Sequence, residues 1–254
     1  MLSLYGRVAA TAARNAVRAW PAAVALVIYG ALFLVTGALV QSLGVFAGIL
    51  VWVVAAACWS SYLELIAQAV GGSRIRLSWD DFRRTFGARF WDVVSVMFAF
   101  FIIGLLTGPL RAGPNGPAMS AILAIAVAFF FNAVPELLYQ GRTRSFSLLL
   151  ESGRFMLAHP VSWLLPNIVF AAVALAAGGG LHSYRPAELL ILFGNTFSSP
   201  LGSVQLIAGL PIWSLPIAIF GLHYVMIFRG VLFAELTTGV GSSRLRAFQA
   251  SMRR

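Results

Sequence analysis

Three glutamates, Glu64, Glu136 and Glu235, each followed directly by leucine, stand near the ends of long apolar runs. An ionised carboxylate in or beside hydrocarbon is costly and turns to a partner, a cavity or the interface. Three of them at matching positions could ring a vestibule that takes a cation, a proton or an amine headgroup. The plainer reading is that each holds a neighbouring arginine and fixes one segment against another. Arg229 lies inside the last apolar run, twelve residues before Gly241. It needs a snorkelling route, a carboxylate or a bound phosphate, and Glu64 and Glu136 are its candidate carboxylates. Asn132, Asn167 and His223 are further polar residues within apolar runs, where such side chains chiefly tie helices together. Glu64, Glu136, Glu235, Arg229, Asn132 and His223 are thus the candidate ion-pair or ligand residues.

Other chemistry finds no footing. The sequence contains no His-Glu-x-x-His, no Gly-x-Ser-x-Gly, no phosphate-cradling loop and no paired aspartates at metal spacing. His159, His182 and His223 lack a metal-ligand spacing, and the single Cys58 permits no internal disulfide. The expectation is a protein without catalytic residues, metal or cofactor.

The elements that must carry these residues are membrane helices. Sixty per cent of the residues are hydrophobic, only 10% are charged, and the mean hydropathy is +0.88, against about a quarter charged in soluble domains. Apolar runs at roughly 20–41, 44–70, 91–110, 118–140, 160–179 and 209–238 predict six spans in one domain over 1–254, with a basic tail at 241–254. The backbone must satisfy its own hydrogen bonds in lipid, and the runs lack the alternation of a barrel, so the fold class is an all-α polytopic bundle. The first run lacks a small-residue cleavage site at its end and reads as an anchor.

The net charge is +10, and all 18 basic residues are arginine. A basic chain can signal nucleic acid, but that needs a water-soluble basic surface. Here fifteen arginines fall in the N-terminal arm, after the second and fourth spans, and in the tail. The positive-inside rule then places both termini in the cytoplasm. The absence of lysine suggests a GC-rich bacterial genome. The expected location is a bacterial inner membrane, with anionic lipid headgroups as partners and no nucleic acid.

Three basic segments read as amphipathic interfacial arms. In residues 1–19, Arg7, Arg14 and Arg18 share a helical face at spacings of seven and four. After the second span, Ser78 is a candidate N-cap with Asp81 three residues on, and Phe82, Phe86 and Phe90 form a stripe. After the fourth, Ser145 caps a helix presenting Phe146, Leu149, Gly153 and Met156. Between spans five and six, the apolar run Leu189–Phe193 is too short to cross and reads as interfacial or re-entrant.

The even spans end alike. Leu63-Glu64-Leu65, Pro135-Glu136-Leu137 and Ala234-Glu235-Leu236 are each followed by glycine and then arginines, the first arginine ten, six and nine residues after the glutamate. The unit is arm, span, span ending in Glu-Leu, used three times. Such symmetry accompanies substrate handling between repeats and is also what duplication leaves in a passive bundle. The stretch Val134-Pro135-Glu136-Leu137-Leu138-Tyr139-Gln140-Gly141, with Ser145-Phe146 and Ser152-Gly153-Arg154-Phe155, resembles a pattern in bacterial six-span families. These include the membrane domain that accompanies some glycerophosphodiester phosphodiesterases. The resemblance implies a six-span fold and no activity.

The functional expectation is a non-enzymatic multi-pass protein that handles a lipid or other amphiphile, or serves as the membrane subunit of a larger assembly. The first alternative is a transport permease driven by a separate cytoplasmic ATPase. An N-terminal interfacial helix, a helical second loop and an external re-entrant piece suit that plan. An intramembrane enzyme comes third.

Overall fold

The structure is a computed structural model that describes residues 2–40, 44–73, 87–113, 115–140, 146–177 and 215–252, with side chains in the last helix as far as 238. Every element among them is helical. Helix α1 (Leu2–Arg18) passes through Ala19 alone into α2 (Trp20–Leu39), and Pro21 opens the first turn of α2, where its missing N–H costs nothing. Gly44, with φ at 56°, starts α3 (Val45–Val70). Gly72, with φ at 74°, ends it. There the Ser73 N–H reaches the Gln68 carbonyl and the Gly72 N–H the Ala69 carbonyl, a left-handed cap that only glycine enters without strain.

Five segments are long and apolar enough to cross a membrane. They are α2, α3 from Phe46, α4 (Phe90–Ala112) as far as Leu110, Gly116–Gln140, and the Leu215–Thr238 part of α9 (Leu215–Met252). The fourth of these is two helices, α5 (Gly116–Phe130) and α6 (Val134–Gln140), broken at 131–133. Helix α7 (Phe146–Ala158) follows, and the expected fifth span is α8 (Pro160–Ala177), whose fully described apolar stretch is the shorter Pro160–Phe170. The last helix does not stop at Gly241 but continues to Met252. Glycine lowers helix stability by only about 1 kcal/mol, and no proline follows to end the turn.

Helices α3 and α9 form the centre. At least half of each apolar window is buried, against 22% in α2 and 17% in α4. Leu63, Ile66, Leu137, Ile227, Leu232 and Phe233 lie at or near zero exposure where α3, α6 and α9 meet. Outward, α2, α3, α4 and α9 expose Leu34, Phe46, Leu106 and Ile217 respectively, each by more than 60%. Large apolar side chains facing out, around a core that encloses charged ones, is the distribution that lipid stabilises and water does not.

Two of the expected arms are helices among the described residues. Helix α1 forms as expected, with Val8, Ala12 and Ala16 buried and all three arginines exposed. Helix α7 likewise packs one face on the bundle and leaves Leu150 and Leu157 exposed, at 68% and 65%. Leu148, Ser152, Phe155 and Met156 are buried against α5, α6 and α8, and Ser152 meets a carbonyl at the break in the fourth span. The second arm through residue 86, the Ser145 cap, and residues 181–208 lie outside the described residues.

Candidate functional site

Pro135 governs the local chain path of the fourth span. It has no N–H to give the Phe131 carbonyl four residues back, and that carbonyl accepts instead from the Val134 N–H at 3.2 Å, which leaves Phe130 without its helical donor. Between α5 and α6 the regular ladder is interrupted, and the carbonyls of Phe130 and Asn132 turn to other partners. Ser152 Oγ on α7 donates to the Phe130 carbonyl at 2.8 Å. The Asn132 carbonyl accepts from Arg229 Nη2. A backbone opening at this depth is thereby closed by two side chains from later helices, as lipid requires.

Arg229 is buried, and Glu136, one turn beyond Asn132, receives it from both sides of its fork. Nε donates to Oε1 at 2.7 Å and Nη2 to Oε2 at 3.0 Å. Both side chains are essentially inaccessible, at 1% and 0% exposure. Paired bonds of this kind are the strongest an arginine makes with a carboxylate. The remaining edge of the guanidinium meets α8, where Nη1 lies 3.5 Å from Asn167 Oδ1 and the charge sits 5.1 Å from the centre of the Trp163 ring, a cation–π distance. Trp163 Nε1 donates to Asn132 Oδ1 at 2.8 Å, and Asn167 Nδ2 donates to the Trp163 carbonyl at 2.6 Å. Five side chains, from α6, α8, α9 and the break between α5 and α6, thus form one closed network.

Beside it, Gly230 carries the contact of three helices. A Cβ there would overlap Tyr139 Oη and Val70 Cγ2, so only glycine lets α9 approach α6 and α3 this closely. Gln140 Nε2 reaches the Gly230 carbonyl at 3.5 Å on the same face.

Glu64 belongs to a second, more open cluster. Arg89 Nε donates to Glu64 Oε2 at 2.8 Å, with about a fifth to a quarter of each side chain exposed. Arg89 Nη1 donates to the Leu138 carbonyl at 2.7 Å. The Arg89 N–H donates to Ser60 Oγ at 2.9 Å, and the Gly87 N–H to Ser61 Oγ at 3.2 Å. One face of α3 therefore seats the entry to α4, and Arg89 joins both to the end of α6.

Helix α1 is tied across the bundle by two bonds to carbonyls that lack a helical partner. Asn15 Nδ2 reaches the Val70 carbonyl at the end of α3 at 3.4 Å. Tyr5 Oη donates to the Ser162 carbonyl at 3.2 Å, the carbonyl that Pro166, four residues on, leaves without an N–H. Burial raises the Tyr5 pKa above 10.0, which keeps the hydroxyl a donor.

Of the residues singled out from sequence, Glu136, Arg229 and Asn132 come together, with Asn167. Glu64 takes its own arginine elsewhere. Glu235 is exposed and makes no ion pair among the described residues. His223 is buried against the backbone of Ala16 and Ala19, at the α1–α2 junction. The three glutamates therefore do not gather around a common vestibule. Trp163, Ser152, Ser60 and Ser61 escaped the sequence reading as site residues. A tryptophan or serine in an apolar run carries no mark of its partner, and the one signal was Trp163 standing four residues before Asn167.

No protein-family model, no curated protein and no solved structure matches this chain.

Proposed function

We propose that this is a non-enzymatic six-pass protein of a bacterial inner membrane, both termini cytoplasmic, that handles lipid or another amphiphile. The observation that carries the reading is how the buried polar groups are used. Both oxygens of Glu136 bond Arg229, and the Arg229 fork is filled by Glu136, Asn132 and Asn167. A catalytic or ion-carrying carboxylate needs an open coordination position or a proton to exchange. This one is committed to holding the fourth span against the last. What the molecule offers to partners is its apolar perimeter and an arginine-bearing helix, and both suit lipid. Helix α8, fifth in order, brings the crossings to six, so that α9 returns the chain to the side on which it began, in keeping with fifteen arginines on that side.

The test is native mass spectrometry of the protein extracted in mild detergent, with bound proteins and lipids recorded together. Retained phospholipid without a protein partner is the expected result. A stoichiometric ATPase would replace this reading with that of a permease subunit.

A further inference from the structure

The outer surface of α1 is divided. On one side Val8, Ala12, Asn15 and Ala16 are buried against the bundle. At 100° per residue, Arg7, Arg14 and Arg18 fall together on a flank beside that face, all exposed. The other flank is apolar and equally exposed: Leu2 at 89%, Val17 at 64% and the following Trp20 at 54%, with Gly6 and Ala13 between them. A helix on a soluble surface gains nothing from the second flank, and a helix buried in hydrocarbon could not tolerate the first. At the boundary of headgroups and acyl chains both are satisfied at once.

Charge decides the kind of lipid. The first acidic residue in the sequence is Glu64. Among the described residues no ion pair closes on Arg7, Arg14 or Arg18; Arg14 has one long bond, 3.4 Å to Thr11 Oγ1. Three guanidiniums in line on one side of a helix present paired donors to phosphate at the spacing of helical turns. We infer that α1 is a binding site for anionic phospholipid at the bilayer surface, with Arg7, Arg14 and Arg18 on the headgroup phosphates and Leu2, Val17 and Trp20 against the acyl chains.

This deepens the reading above and rests on its membrane placement. It adds a consequence for the bundle. Helix α1 bridges α3 and α8 through Asn15 and Tyr5 and lies along α9, so a lipid that holds α1 down also holds those helix ends together.

The full chain is reconstituted in nanodiscs of phosphatidylcholine, with or without phosphatidylglycerol, and amide hydrogen exchange is read helix by helix. Phosphatidylglycerol slows exchange in α1 by about tenfold to a hundredfold, the range set by three arginines at an anionic surface. The Arg7→Gln/Arg14→Gln/Arg18→Gln protein loses that dependence while α3 keeps its protection. In the unaltered protein, high salt removes the same increment, so the inference stays testable if the triple variant fails to fold. Equal α1 exchange in both lipid mixtures overturns it, as does a phosphatidylglycerol effect that survives high salt. Either result leaves the membrane reading standing; that reading fails separately if the protein is not incorporated into nanodiscs at all.

Discussion

Glu136 with Arg229 and Glu64 with Arg89 are chemically the same pair in two surroundings, and the contrast shows what burial does to a salt bridge. Arg229 and Glu136 have lost their water, and each oxygen and most of the guanidinium edge is bonded within the protein. Arg89 and Glu64 keep a share of solvent or headgroup contact. In the open pair, attraction is weakened by the medium and either partner can be solvated alone. In the closed pair neither can, so each charge depends on the other for its presence in the core. The closed pair joins helices distant in sequence, while the open pair seats the start of α4.

The comparison breaks most readily at Arg229. Arg229→Met strands the Glu136 carboxylate and lowers stability by about 3–5 kcal/mol, measured by steric trapping in bicelles. The double variant Glu136→Gln/Arg229→Met recovers much of that loss, because the stranded charge is gone. Equal losses in the single and double variants would show that the pair was not the source. Gly230→Ala, adjacent to Arg229, forces Tyr139 and Val70 apart and costs about 1–3 kcal/mol in the same assay. Trp163→Phe keeps a ring under the guanidinium but removes the donor to Asn132 Oδ1. The expected loss is about 1–2 kcal/mol, seen also as faster amide exchange at 131–134. The smallest effect belongs to Glu64→Gln, below about 1 kcal/mol and shrinking as salt rises. A larger or salt-independent loss there would place the two pairs in the same class.

Much of this architecture was legible in residue order. Runs of about twenty apolar residues located the long helices, since length against bilayer thickness is a local property. The arm at 1–19 was visible because arginines at spacings of seven and four form a face in any helix. Glu64 and Glu136 both stood as candidate partners of Arg229 from the cost of charge in hydrocarbon, and only Glu136 meets it. What pattern reading missed was long-range. It treated the glutamates as equivalent because their flanking residues match, yet only Glu136 follows a proline-broken turn that gives Arg229 a second acceptor. The stripe on α7 did not say whether its apolar side meets lipid or protein, and Leu148, Phe155 and Met156 pack on protein. The Phe130 carbonyl that Ser152 meets is open because the Val134 N–H turns to Phe131 in the broken turn.

The break between α5 and α6 also sets a schedule. Glu136 emerges from the ribosome 93 residues ahead of Arg229, an interval of about 5–20 s at ordinary elongation rates. During that time the fourth span carries a carboxyl and an unclosed turn with no Arg229 to receive them. The hairpin of the fourth span and α7 can meet first, through Ser152, but the bundle locks only when the last helix arrives. Tertiary closure of this part of the chain is therefore a late event, timed by the residue that comes last.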